Sequence, residues 1–576
     1  MTDTSILKRA LGSYIRVPQD WMPATQVRPF ILEDPGSVWL KFYGKNHGLF
    51  PDKATSYEFS EFIFEKGNQF EEKWIKEIAG KAVRVCQKAY DVASADRVRE
   101  TFELMKEQTP IISQPAFWWA PEKIYGVPDL LIHTSWLLDN QNISLDDSVR
   151  QEILDSLKNI SEKVYYLIFD IKFTTKLDEG SKEKDLQNYT AQVKIYSYML
   201  GHLQGLMPPI AFIVSRDRIF TPMPVKISSQ LYKPLDQDLT EIREQFLEIK
   251  LNGDKYLPWR DEIVAIKLGN DDEWGGAKEK IALELVPGKD SRLLYQIGVS
   301  AKNELATFGF SNIDSMIDVE PDKIPFEKCR GLGAKKSMQI RAVLKANRTG
   351  HPVLPAPDFI PGKKKYEFFV DFEYFTNVNV DFEKEWPDLE GREMIFMIGV
   401  GFEENDKWSF KTFIAEKEDQ QEELKMIENF IDFLKSKTDG DVTNAFFYHW
   451  SPAEVSQLRG VVKRHQLPSG YLLSNLNWFD LRKIFLDGPA SIPGAWGFGL
   501  KEVAKALARY YPEYDSRWPG ELAEGLRAMV MGWKAYKNEK PLGTQEMEII
   551  TQYLEADCRA LRNVLKWLRS SVEVDI

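Results

Sequence analysis

Cysteine is scarce in this chain of 576 residues: Cys86, Cys329 and Cys558 stand far apart and form no CxxC pair. That argues against a zinc ribbon or a disulfide framework and fits a reducing compartment. Long apolar runs are missing too. No stretch approaches the roughly 18 residues that span a bilayer, and the opening MTDTSILKRALGSYIR lacks a signal-peptide core. The expected location is cytoplasmic, with no membrane partner. No internal repeat or low-complexity tract stands out. GLGAKKS, Gly331 to Ser337, lacks the G-K-[ST] ending of a phosphate-binding P-loop, so neither ATP nor a motor is expected. Positive charge is in the minority, with 75 Lys and Arg against 87 Asp and Glu, a net charge of -12. This weighs against binding nucleic acid by bulk charge alone.

What the chain has is enough apolar material for several cores: 43% hydrophobic and 12% aromatic residues. The expected fold class is multidomain α/β. Residues 1–255 mix helix and strand patterns, and 256–350 read as helical. Residues 351–365 lie in a Pro- and Gly-punctuated stretch with linker chemistry, and 366–576 start a second α/β pattern.

The second pattern opens on the apolar strand YEFFVDFEYF, which puts Asp371 and Glu373 on one face because strand side chains alternate. Two adjacent carboxylates repel, and a divalent cation relieves that repulsion; a solvent-facing acidic pair at a strand end shows the same pattern. IFMIGVGF, WSFKTFIA and NAFFYHW read as further strands. EDQQEELKMIENFIDFLKSK reads as an amphipathic helix. Ser451-Pro452 suits a helix start, with Glu454 in the first turn facing the strand ends, and Tyr553 and Asp557 share a face of the last helix.

At these residues the chain resembles the DEDD exonucleases of the RNase H-like superfamily, in the subgroup with a tyrosine in the last motif. Asp371-Phe-Glu373, His449-Trp-Ser-Pro-Ala-Glu454 and Tyr553-Leu-Glu-Ala-Asp557 follow the family's motif order. The resemblance implies an RNase H-like mixed sheet with flanking helices and two Mg2+ or Mn2+ ions held by Asp371, Glu373, Glu454 and Asp557. Tyr553 would orient the attacking water. Asp480, in the WFDL segment, is either a contact to metal or substrate or a structural residue, and His449 reads as a strand-end hydrogen-bonding residue. Trp450 stands where relatives place asparagine, and Glu454 where most place aspartate.

In the N-terminal block, GVPDLLIH places Asp129 on a short strand, and VYYLIFDIKF carries Asp170 and Lys172 on one strand face. A carboxylate can hold a metal, and a neighbouring lysine can position water and stabilise charge on phosphate. A surface Asp–Lys pair has the same spacing, but this strand is otherwise apolar. Gln192 and Tyr196 follow one helical turn apart. PD, D-x-K and QxxxY in this order resemble the RecB-like branch of PD-(D/E)XK nucleases, with a restriction-endonuclease-like core. The resemblance implies one or two ions held through Asp129 and Asp170. It also implies a further acidic residue from the helix EKGNQFEEKWIKEI, where Gly67 allows close packing and Glu71 matches better than Glu72. The iron–sulfur cluster of many relatives is not expected without its cysteines.

Between the blocks, RLLYQIGVSAKNELATFGF and PFEKCRGLGAKKSMQIRAVLKANR look like paired helix-hairpin-helix elements; a helical spacer with a glycine turn reads alike. Gly331 and Gly333 can expose backbone N–H groups to phosphate, with Lys335, Lys336 and Arg341 supplying charge. The whole resembles a RecB-like nuclease with an appended RNase H-like domain. It implies a DNA-hydrolysing exonuclease of repair or defence, with single-strand or end preference and room for a separate helicase partner. A binding scaffold with one inactive domain and an RNA-processing exonuclease are the other readings.

Overall fold

The computed structural model describes residues 4–31, 33–51, 55–158, 165–175, 183–227, 233–268, 273–389, 391, 393–468, 471–518 and 525–573. They form two compact units. Unit 1 comprises Met1–Pro51, Ile63–Gly269 and Val380–Glu390; unit 2 comprises Asp52–Phe62, Asn270–Asn379 and Gly391–Ile576.

Unit 1 is built on a six-stranded sheet whose strands lie side by side in chain order: β1 (Val83–Arg84), β2 (Ile111–Ser113), β3 (Leu130–His133), β4 (Tyr166–Ile171), β5 (Ile210–Val214) and β6 (Met223–Lys226). The apolar run YLIFDI makes β4 a central strand buried along its whole length. β4 is antiparallel to β3 and parallel to β5. That parallel step needs a crossover, which the helix α2 (Glu183–Gln204) supplies. Phe169 stacks on Phe212 at 4.5 Å, joining β4 to β5 on one sheet face. The helix α1 (Thr55–Trp74) closes this face, with Phe70 and Trp74 fully buried. Two sequence-based placements need correction. Asp129 precedes β3, in the bend after Pro128, and Lys172 lies one residue past the end of β4. Its backbone N–H still donates to Val214 O at 2.8 Å, so the ladder carries on through it.

Unit 2 holds a five-stranded sheet: β7 (Tyr366–Phe375), β8 (Met394–Glu404), β9 (Lys407–Ile414), β10 (Ala445–His449) and β11 (Asn477–Asp480). The spatial order is β9-β8-β7-β10-β11, antiparallel among the first three strands and parallel from β7 to β11. β7 is therefore the middle strand, with partners on both edges; on it Glu373 is buried and Asp371 half-buried. The helices α4 (Gln420–Lys437), α5 (Ala453–Arg464), α6 (Leu500–Tyr510) and α7 (Gln545–Glu573) flank the sheet. α7 comes close because β8 has Gly399 beneath it: a Cβ there would lie 3.1 Å from Leu554 Cβ.

The helical stretch before β7 shares this core. Leu294, Ile297, Leu305, Phe326, Ile340 and Leu344 are packed in one cluster with Tyr448, Phe485, Leu561 and Leu565. Within that stretch lies α3 (Ala334–Thr349). The Pro-rich stretch 351–365 is packed rather than free. Val353 bridges to Ser491, Leu354 and Ile360 join the cluster, and Arg569 Nε donates to Pro361 O at 3.1 Å. Among the described residues, no helix is long and apolar enough to cross a membrane.

Candidate active sites

In unit 2, strand alternation sets Asp371 and Glu373 on one side of β7, just before a bulge at Glu373/Tyr374. Glu454 enters from the first turn of α5, and Asp557 and Tyr553 come from α7. Glu373, Glu454 and Asp557 are only 6%, 7% and 5% exposed. Burial first, then the charges of Asp557, Glu454 and Glu373, pushes the Asp371 carboxyl well above the usual carboxylate range. Burial and Asp557 do the same to Glu373. Burial also raises Asp557, which lies within hydrogen-bonding reach of Asp371 and Tyr553. Four acids from three elements thus meet where charge is costly without a counter-ion.

The surroundings hold these acids in place. His449 Nδ1 and Glu454 Oε2 are hydrogen-bonded at 3.1 Å, so the strand-end histidine orients the glutamate. Between them Ser451 takes a φ of +107°, a conformation that costs a non-glycine residue about 1–3 kcal/mol. Asp480 braces this turn: its Oδ1 accepts from Ser451 N and Arg482 N, both at 3.0 Å. Asp480 thereby supports the turn that leads into Glu454. Asp480→Ala is expected to cost about 1–3 kcal/mol by orphaning those donors, measured by urea unfolding; an unchanged midpoint would remove the brace.

Two further residues reach the cluster that sequence reading did not single out. Trp518 Nε1 donates to Asp557 Oδ1 at 2.7 Å. Lys501, in the first turn of α6, sits with its Nζ 4.3 Å from the centre of the Tyr553 ring. Burial lowers the Lys501 ammonium, and Asp557 and Glu373 work against that. Trp518 belongs to no spacing pattern along the chain, and Lys501, within the family-like stretch Gly499 to Ala504, is brought to the acids only by tertiary packing.

In unit 1, Asp129, Asp170, Lys172 and Glu71 form the second group. Asp170 is 1% exposed, and neither of its oxygens has a hydrogen-bonding partner of good geometry. Lys172 Nζ lies 2.7 Å from Asp170 Oδ2 and 3.9 Å from Asp129 Oδ2. The distance to Asp170 is that of an ion pair out of hydrogen-bond alignment. Burial pushes Asp170 up to about 7 against the pull of Lys172. Burial opposes the charge of Lys172, yet Asp170 and Asp129 together hold it above the ordinary lysine range. Asp129 Oδ2 also accepts from Ile171 N at 2.7 Å.

Glu71 faces this group from α1. Burial and the charge of Asp129 push it up to about 7, and Gln114 Nε2 donates to its Oε1 at 2.7 Å. Glu72 is exposed. A Cβ on Gly67 would lie 4.0 Å from Phe173 Cβ, ordinary contact, so the packing of α1 does not require glycine there. Gln192 Nε2 donates to Tyr196 OH at 3.1 Å, and buried Tyr196 feels the charges of Asp170, Asp129 and Lys172. The room for Tyr196 comes from Gly126, where a Cβ would lie 2.7 Å from its ring.

Of the hairpin residues, Gly331 takes a φ of +82° and Gly333 starts α3 with no side-chain cap. Lys335 pairs with Asp487 at 2.6 Å, and Lys336 Nζ donates to Gly331 O at 3.0 Å. The Arg341 guanidinium pairs with Glu327 and donates to Pro321 O and Ile324 O at 3.1 and 3.0 Å.

Among the described residues, no three His, Cys, Asp or Glu side chains stand close enough to hold a metal ion as placed. The donor chemistry nonetheless suits a hard cation. The candidate ligands in both groups are carboxylates, Glu373, Glu454, Asp557 and Asp170 are buried, and the Asp170 oxygens have no hydrogen-bonding partner of good geometry.

Residues 380–569 match a family model of the RNase H superfamily. The C-terminal part of the chain is therefore an RNase H-like domain, and such a domain implies nuclease-type chemistry, generally with divalent metal. The matched span begins after β7, so Asp371 and Glu373 join Glu454 and Asp557 by geometry rather than by the match. No curated protein and no solved structure matches the chain.

Proposed function

We propose that the protein is a divalent-metal-dependent nuclease that hydrolyses phosphodiester bonds of DNA, with one site in each unit. The observation that carries this reading is the meeting of Asp371, Glu373, Glu454 and Asp557 beside Tyr553 in an RNase H-like domain. These four acids would hold two Mg2+ or Mn2+ ions, which supply Lewis-acid stabilisation of the phosphate and a water activated at neutral pH. Tyr553 orients that water, and Lys501 offsets carboxylate repulsion. Digestion from ends fits the DEDD order of the motifs.

The N-terminal group, in the manner of PD-(D/E)XK nucleases, would hold one or two ions through Asp129 and Asp170, with Glu71 assisting. Lys172 positions water and stabilises charge on the phosphate. Gln192 holds the Tyr196 hydroxyl at the back of the site. The Gly331 turn with Lys335 and Lys336 contacts the phosphate backbone without reading bases.

The test is metal-dependent degradation of end-labelled single- and double-stranded DNA and RNA by the full chain. No cleavage of any substrate with Mg2+ or Mn2+ would sink the reading, and preference for RNA would turn it into an RNA-processing exonuclease. Lys335→Glu with Lys336→Glu is expected to weaken binding across all sequences and to flatten its salt dependence by about one to two phosphate contacts. An unchanged salt slope would reduce the segment to a spacer.

A further inference from the structure

Unit 1 takes its third chain segment from far along the sequence: Val380–Glu390, the connection between β7 and β8. This strap is part of the unit's interior. Val380, Phe382 and Leu389 are buried in one cluster with Phe70, Trp74, Leu130 and Phe169. The Phe382 ring lies 6.3 Å from Phe70 and 5.7 Å from Phe173, and Trp386 lies 6.3 Å from Phe70. Each end of the strap is pinned by a buried cation. Lys66 Nζ donates to Val380 O at 2.5 Å, and Arg216 Nη2 donates to Leu389 O at 2.7 Å. The Arg216 guanidinium also covers the Phe173 ring at 4.8 Å.

What the strap grips is the framework of the N-terminal acidic group. Lys66 and Phe70 belong to α1, which carries Glu71. Phe173 directly follows Lys172, and Arg216 lies two residues past β5 and donates its backbone N–H to Thr174 O at 3.0 Å. A ring wedged between Phe70 and Phe173 therefore fixes the distance between the helix bearing Glu71 and the strand end bearing Lys172. We propose that Val380–Glu390 is a positioning element of the N-terminal site, with Phe382 and Trp386 holding Glu71 and Lys172 against Asp129 and Asp170. This rests on the reading of that group as a metal-dependent nuclease site. It goes beyond a packing role, because the strap touches the catalytic elements on both sides and not merely the back of the sheet.

The experiment uses the full chain with Asp371→Ala and Asp557→Ala, which silence the C-terminal site. Mn2+ binding is titrated by electron paramagnetic resonance, and cleavage is resolved into kcat and KM. In this background Phe382→Ala with Trp386→Ala is expected to weaken Mn2+ binding about 10- to 100-fold, the usual effect of losing the support behind metal ligands. It should lower kcat with little change in KM. Phe382→Leu, which keeps most of the wedge, should recover most of that loss, and Glu383→Gln at the exposed rim should change nothing. A folded double variant, judged by near-ultraviolet circular dichroism, with wild-type Mn2+ affinity and kcat would overturn the proposal and leave the strap as core filling. If the double variant does not fold, Phe382→Leu and Trp386→Phe decide by the same readouts, and wild-type values in both overturn it. Asp170→Ala in the same background separates the two claims. If it leaves Mn2+ binding and cleavage intact, the site reading falls and the strap's role with it. If it abolishes both while strap variants do not, only the strap proposal fails.

Discussion

Asp371→Asn is expected to abolish digestion from ends and, in chelator, to make the protein more stable than wild type. The two effects have one cause. Asp371 lies against Asp557, Glu454 and Glu373, and burial adds to their repulsion, so its folded-state pKa is raised. The folded state therefore binds protons more tightly than the unfolded chain. Its contribution to stability is fully present below the unfolded carboxylate value near 4 and is lost as pH rises through the folded value. Glu373 and Asp557 shift the same way and act in the same window. Metal-free protein should thus lose stability from about pH 4 upward, and neutralising Asp371 should return part of that stability at pH 8. With Mn2+ the ranking reverses, because the ion binds only the full carboxylate set and stabilises by mass action. Activity should fall by at least about 10²–10³-fold. Thermal melts with chelator and with Mn2+, at pH 5 and pH 8, check the sign. A wild type more stable than Asp371→Asn in chelator at pH 8 would contradict the crowded-carboxylate account.

The second large effect belongs to unit 1. Lys172→Ala should destabilise more than Asp170→Asn, although both should silence the N-terminal site. Asp170 is buried with Lys172 Nζ 2.7 Å away, and no hydrogen bond of good geometry takes up its oxygens. Removing the lysine leaves a buried carboxylate without its nearest cation, which typically costs about 3–5 kcal/mol. Replacing Asp170 by asparagine removes the buried negative charge itself, and Lys172, with a side chain 20% exposed, can turn to water. Asp170 then has no charge to protonate, whereas in Lys172→Ala its pKa should climb above about 7. Chemical unfolding at pH 8 would show the ranking, and equal losses would mean that Lys172 does not compensate Asp170. In nuclease assays Asp170→Asn is expected to remove one cleavage pattern and leave digestion from ends. Asp371→Asn is expected to do the converse, and the double variant to be inert. Loss of all cleavage in Asp170→Asn alone would overturn the idea of two working sites.

The candidate sites were legible in the sequence wherever local periodicity fixes direction. Asp371 and Glu373 share a strand face because the period is two, and Tyr553 with Asp557 share a helix face because they are one turn apart. Glu71 could be preferred to Glu72 only through a resemblance, since a helix bearing two adjacent acids does not say which one faces inward. Trp518 was not legible, because nothing in its surroundings marks it before the chain there folds onto α7, and for Lys501 the family-like stretch Gly499 to Ala504 marks the helix but not the residue that reaches the acids. The Pro-rich stretch was misleading for a physical reason. Proline and glycine set backbone conformation but say nothing of contacts, and here Leu354, Ile360 and Pro361 are taken into the unit 2 core. The strap was invisible for a related reason. A connection between two strands of one sheet supplies buried residues to another unit, and no pattern along the chain encodes such distant packing.

The shared core of the helical stretch and the C-terminal sheet has a further consequence. Ile340 and Leu344 on α3 are packed in one cluster with Tyr448 and Leu561, so the Gly331 turn and the Asp371 cluster belong to one solid piece. On the proposed function, a strand gripped at the turn would be held at a fixed span from the point of cutting, like stock against the stop of a saw bench. Each further cut needs the strand to slip through the grip, because the grip cannot walk. The shortest fragment still held is a length set by the protein, and digestion should stall at one residual size whatever the sequence.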